Sequence, residues 1–150
     1  MNSLINTRFA AIADAESISY LMNQLGYVTS PALVTEKISA FSNSLIDQVL
    51  VAEVEGKVVG VISCHITSLF HQAGASGRIT SLVVDKDFRS MEIARSLLAK
   101  AEDFFIRQGC IKFEVTSGDH RKEAHGFYKS CGYEDDERRF IKYPEKKNPV

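Results

Sequence analysis

Eighteen basic against nineteen acidic side chains in 150 residues leave a formal charge of −1, so no global positive field draws this chain onto nucleic acid. With 45% apolar residues and no run near the roughly eighteen that span a bilayer, the composition predicts one domain over 1–150 around a single core, and no membrane helix. Cys64, Cys110 and Cys131 are scattered, lack Cys-x-x-Cys spacing for zinc or redox chemistry, and read as buried thiols of a cytoplasmic protein; Met1 to Phe9 has no signal-peptide pattern.

In chain order, a short strand over Asn6 to Ala11 precedes Asp14, a candidate N-cap, and then Ile18, Leu21, Met22 and Leu25 recur at helical spacing until Gly26. Ser30-Pro31 restarts a helix whose stripe is Leu33, Val34, Ile38 and Phe41. Gln48 to Val54 and Val58 to Ile66 are β-branched runs joined at Glu55-Gly56-Lys57, a hairpin with glycine where a left-handed backbone is needed. A loop over His71 to Gly77 leads into a strand from Arg78 to Asp85, apolar on both faces at Leu82-Val83-Val84 and therefore central. From Met91 to Gln108, Ala94, Leu97, Leu98, Ala101, Phe104 and Phe105 draw one apolar face, closed by Gly109. Ile111, Phe113 and Val115 alternate as a strand, Ala124, Phe127, Tyr128 and Cys131 repeat at helical intervals before Gly132, and Arg138 to Tyr143 reads as a last strand. The sum is a mixed α/β fold of six or seven strands and four helices.

The segment from Val83 through Arg89 to Leu98 runs an apolar strand through a short turn into a helix that opens on an arginine. A helix start offers unpaired N–H groups to an anion, and a guanidinium adds charge-assisted hydrogen bonds, so the turn suits a phosphate; a plain connection with a solvated arginine fits the same residues. Neither Gly-x-Gly-x-x-Gly nor a Walker lysine motif is present, which disfavours a module for NAD or ATP. Farther on, Phe127 and Tyr128 read from spacing alone as core aromatics of an amphipathic helix.

Taken together, these segments resemble the GNAT superfamily of acetyl-CoA-dependent N-acetyltransferases. Arg89, Ser90, Met91, Glu92, Ile93 and Ala94, followed by Leu97-Leu98, match its Arg-x-x-Gly-x-Gly/Ala signature with Glu92 in place of one glycine. Ala124, Phe127, Tyr128, Gly132 and Tyr133 match its Ala-x-x-Phe-Tyr-x-x-x-Gly-Phe/Tyr pattern, with Arg121 where an asparagine is frequent, and the opening Arg8 to Ile18 is similar too.

The resemblance implies a GNAT-like mixed, mostly antiparallel sheet flanked by helices, in which the strand ending near Val84 splays from the strand at Ile111 to Thr116. Acetyl-CoA would lie in that gap as cosubstrate, with no metal. Main-chain groups of Leu82, Val83 and Val84 would bind the pantetheine arm, and the N–H groups of Ser90, Met91, Glu92, Ile93, Ala94 and Arg95, beside Arg89, would meet the diphosphate, with the Arg95 side chain a candidate for the adenosine end. Tyr128 would protonate the departing thiolate.

The family's frequent glutamate base corresponds to Thr80, which cannot serve as one; His65, His71, His120 and His125 are the titratable alternatives. A primary amine of a small molecule or peptide would enter by Leu25 to Pro31 and Leu69 to Gly77, where Tyr27, His71 and Gln72 can contact it. Homodimers are common in such chains. The odd Glu92 and Thr80 leave a second reading, a non-catalytic acyl-CoA-binding or regulatory module.

Overall fold

The computed structural model describes residues 4–89, 91–116, 122–136 and 139–145, with the side chain of Met91 outside that description. Five strands form one sheet in the order β1-β2-β3-β4-β5: β1 Ile5–Phe9, β2 Asp47–Val54, β3 Lys57–Ser68, β4 Ala75–Val84 and β5 Cys110–Val115. β1 to β4 are antiparallel neighbours, and β5 joins β4 in parallel after the crossover through α3. The helices are α1 Ala15–Leu25, α2 Pro31–Phe41, α3 Met91–Arg107 and α4 Lys122–Ser130.

Two apolar layers follow from the alternation of strand side chains. Leu50, Ala52, Val59, Ile62, Cys64, Ile79 and Val84 meet α3 through Ile93, Leu97, Leu98, Ala101, Phe104 and Phe105. Val51, Val58, Val61 and Val83 point the other way, onto Ala15, Ile18 and Leu21 of α1 and Val34 and Ile38 of α2. The sheet is thus covered on both faces, which is why its middle strands carry continuous apolar runs.

Local chemistry sets the boundaries. Glu55 and Gly56 both have positive φ, 51° and 81°, the geometry of a two-residue turn whose twist matches the strands it joins. Ser30 caps α2 by accepting the Leu33 N–H at 3.2 Å, and Pro31 takes the first turn.

Asp14 precedes α1 as expected, but its carboxylate turns back instead of capping that helix. It accepts the Ala11 N–H at 2.7 Å and two hydrogen bonds from Arg8 at 2.8 and 2.9 Å, while Arg8 also reaches Glu53 of β2 at 2.9 Å. Those Arg8 bonds hold the Asp14 carboxyl below its ordinary range despite burial, and they raise Arg8.

Three expectations need correction. Gly77 lies inside β4, not in a loop, because an added Cβ would run into the Phe105 ring; only glycine lets α3 close on the sheet there. The expected last strand does not form: residues 139–145 run without strand pairing, and Arg138 lies outside the described residues. Its alternation is broken, with Phe140 fully and Ile141 half exposed. Cys64 alone is fully buried, which pushes its thiol up to about 12, whereas Cys110 and Cys131 are half-buried.

Candidate active site

β4 outruns its parallel partner. The β4–β5 register runs from Ala75 opposite Cys110 to Ile79 opposite Val115 and stops, while β4 continues to Val84, still paired to β3 through Gly60 opposite Val84. A register shift between Ser63 and Cys64 falls beside the last β4–β5 pair, and it leaves Thr80 of β4 without an opposite residue on β3.

The Asp85 N–H donates to Val59 O at 2.7 Å, so Ser81, Val83 and Asp85 turn their main-chain groups toward β3. By alternation, Leu82 and Val84 turn theirs to the opposite edge. A strand edge of this kind is a row of main-chain donors and acceptors, the fit for an extended amide-bearing chain. The side chains are spent on packing: Val83 is buried against α1 and α2, and Leu82 and Val84 pack toward α3.

The turn after β4 is built to hold its shape. Asp85, 2% exposed, accepts the Asp87 N–H at 3.0 Å and the Gln24 amide of α1 at 3.3 Å, and Gln24 in turn accepts the Lys86 N–H at 2.9 Å. Phe88 lies under the Lys57 ammonium, 4.9 Å from ring centroid to nitrogen. Arg89 follows, exposed, its Nε donating to Val84 O at 3.3 Å on the free edge of β4.

Helix α3 then begins at Met91. Its first amides, Met91, Glu92, Ile93 and Ala94, precede the point where intrahelical bonding begins and carry the helix's partial positive charge. Ser90 lies outside the described residues. Arg95 is one residue deeper, and its Nη2 donates to Ser130 Oγ of α4 at 3.3 Å. Glu92 is exposed in the first turn, on the side of the helix away from buried Ile93 and Leu97.

Helix α4 lies beside α3, joined to it by the Arg95 bond to Ser130. Tyr128 is 8% exposed and belongs to neither apolar layer; its ring lies edge-on to Phe127 and Tyr133, with centroids 5.4 and 5.8 Å away. Gly132 at φ 94° reverses the chain, and the Tyr133 N–H returns to Tyr128 O at 3.0 Å. Tyr133 OH then donates to Glu102 Oε2 of α3 at 2.7 Å, and burial with that bond raises its pKa. The aromatic pair at the end of α4 is therefore fastened to α3.

On the α1/α2 side of the sheet, beyond the end of α2, lies a polar band that the strand pattern alone did not reveal. Asp47 Oδ1 and His65 Nδ1 are 2.7 Å apart, His65 Nε2 and Thr80 Oγ1 2.8 Å, and Thr80 Oγ1 and Ser63 Oγ 2.6 Å. Ser44 also donates to Asp47 at 2.8 Å, and Phe41 of α2 sits edge-on to His65 at 5.6 Å. Burial alone would raise the Asp47 carboxyl, but the bonds from His65 and Ser44 outweigh it and hold it below the usual range.

Farther along the same face, Arg78 donates to Glu114 at 3.2 Å and Thr116 at 2.9 Å, and Ser76 to Glu114 at 2.7 Å. Polar residues at Asp47, His65, Arg78 and Thr80 inside otherwise apolar strands were the available signal. Tyr27, His71 and Gln72 are exposed, His125 is half-buried on α4, and His120 lies outside the described residues. No group of three His, Cys, Asp or Glu side chains suited to a metal occurs among the described residues, and no helix among them is long and apolar enough to cross a membrane.

Residues 18–133 match the family model described as acetyltransferase (GNAT) family. The chain belongs to the GNAT family. The mixed five-stranded sheet flanked by helices is a GNAT fold. The chain is 38% identical over 87 residues to an aminoalkylphosphonate N-acetyltransferase of Salmonella typhimurium, covering 58% of this chain and 56% of that relative, just over half its length. It superposes on glucosamine-6-phosphate N-acetyltransferase of Arabidopsis thaliana with a TM-score of 0.79 and 25% identity, covering 94% of this chain and 99% of that one. An aminoglycoside N-acetyltransferase in complex with CoA shares the fold at a TM-score of 0.82, 14% identity and 95% coverage of both chains.

Proposed function

We propose that this GNAT protein transfers the acetyl group of acetyl-CoA to a primary amine of a small molecule or peptide by direct attack within a ternary complex. The observation that carries this reading is the edge of β4 at Leu82 and Val84, unpaired by any strand among the described residues, which runs straight into Arg89 and the first turn of α3. The pantetheine amides pair with main-chain groups of Leu82 and Val84, and the diphosphate meets the amides of 91–94 beside Arg89. The thioester carbonyl takes a main-chain N–H of this edge, which stabilises the oxyanion as it forms.

Tyr128 of α4 donates its phenolic proton to the leaving thiolate. The acceptor lies on the polar band, whose carboxylates, Asp47 and Glu114, complement a cationic amine. Relatives named for aminoalkylphosphonates, glucosamine 6-phosphate and aminoglycosides make small polar amines the first class to try. Such amines carry a phosphonate, a phosphate or several hydroxyls, which the Arg78 and Thr116 end of the band suits.

The test is acetyl-CoA binding by calorimetry, followed by CoA release against 2-aminoethylphosphonate, glucosamine 6-phosphate, an aminoglycoside, a polyamine and a lysine peptide. The expected outcome is turnover on at least one amine, with Tyr128→Phe retaining acetyl-CoA affinity and losing tenfold or more in kcat. Tight acetyl-CoA binding without turnover on any amine would point to the non-catalytic reading. Unchanged kcat in Tyr128→Phe would remove that residue from the mechanism.

A further inference from the structure

We infer that His65 is the general base of this site, acting through the Thr80 hydroxyl and oriented by Asp47; the inference rests on the acetyl-transfer reading above. The position on β4 that corresponds to the family's frequent base holds Thr80, which has no acid–base capacity of its own at neutral pH. The structure joins it to a residue that has. A carboxylate only accepts, so the 2.7 Å contact from Asp47 Oδ1 places the imidazole proton on Nδ1 and leaves the Nε2 lone pair aimed at Thr80 Oγ1, 2.8 Å away. Thr80 therefore donates to His65 and accepts from Ser63 at 2.6 Å. The four groups come from β2, β3 and β4 and form a continuous line from the half-buried Asp47 carboxylate through exposed Thr80 to Ser63.

Thr80 stands two residues, about 6.6 Å of strand, before Leu82 and the free edge. It occupies the shifted position where β3 and β4 lose register and β4 leaves β5. A hydroxyl there sits between an amine on the polar band and a thioester on the edge.

The proton balance closes. A substrate ammonium gives one proton to Thr80 Oγ1 as the Thr80 proton passes to Nε2, leaving a neutral amine and an imidazolium stabilised by Asp47. The amine nitrogen bonds the thioester carbon, the C–S bond breaks as the tetrahedral intermediate collapses, and the second nitrogen proton replaces the one Tyr128 gives to sulfur. His65 returns its proton to solvent after the amide leaves.

The charged groups around His65 are Asp47 from β2 and, opposite it in the β3–β4 register, Arg78, whose guanidinium is turned to Glu114 of β5, where Lys112 also pairs at 3.7 Å. Phe41 from α2 adds no charge.

The experiment uses the best amine of the panel and measures kcat/KM from pH 5.5 to 9 for the wild type, His65→Gln, Asp47→Asn, Thr80→Val and Thr80→Ser, with acetyl-CoA affinity and thermal midpoint as checks on folding. The wild type loses activity as falling pH protonates a histidine. His65→Gln and Thr80→Val each lose about a hundredfold and lose that limb, the double variant loses no more than either single, and Thr80→Ser stays within a few-fold of wild type. Asp47→Asn falls tenfold or more with acetyl-CoA affinity unchanged, as expected of a positioning residue. A wild-type-like pH profile in His65→Gln, in a protein that turns over, overturns the relay and leaves acetyl transfer standing. A wild type that acetylates no amine overturns both.

Discussion

At the scale of single residues, the chain places its charges where a second group settles them. Arg8, Asp14 and Glu53 fasten the entry to α1 onto β1 and β2, and Asp14 is the member with the least water around it, its side chain 8% exposed. Its folded pKa lies below the ordinary 3.8, chiefly through the hydrogen bonds from Arg8. A carboxyl depressed on folding adds stability that is fully present above the unfolded value and is lost as pH falls through the folded one. Urea denaturation at pH 7 and pH 3 should therefore show wild type more stable than Asp14→Asn by about 2 kcal/mol at the higher pH, a gap that narrows at the lower. An equal gap at both would mean that the Arg8 pair contributes nothing.

At the scale of elements, what was legible from the sequence is what periodicity encodes. The apolar stripe of α3, the caps at Ser30 and Gly26 and the Glu55-Gly56 turn appear where spacing and turn chemistry place them. The failures have a common cause, because each element concerned is decided by a contact distant in sequence. Gly77 reads as a loop residue until Phe105 of α3 is laid against it, and Asp14 reads as a helix cap until Arg8 claims its carboxylate.

The same holds for the site. Arg89 and the α3 amides lie together in sequence and can be read there as a candidate anion site, whereas the Asp47, His65 and Thr80 line spans three strands and shows only as isolated polar residues. Gly77→Ala tests the packing claim: a Cβ driven into the Phe105 ring should lower stability by about 1–3 kcal/mol, measured by chemical denaturation, and Gly77→Ala with Phe105→Leu should recover part of the loss. A stable single variant would mean that α3 rides less tightly on β4 than the structure has it.

At the scale of the molecule, one feature organises the rest: β4 is held by β3 along its whole length but by β5 along only half of it. Below the parting, Ser76, Arg78 and Glu114 stitch β4 to β5. Above it, the Asp85 turn and Gln24 fix the far end of β4 to α1, and Tyr133 fixes the end of α4 to α3. These bonds hold the far end of β4 and the end of α4 in place without any ligand.

The direct measurement is amide hydrogen exchange by NMR with and without acetyl-CoA. The account predicts that the Leu82 and Val84 amides and those of 91–94 slow markedly on binding, while the β1 edge at Ile5–Phe9 does not change. Saturable acetyl-CoA binding that leaves the 82–84 amides exchanging as before would contradict it.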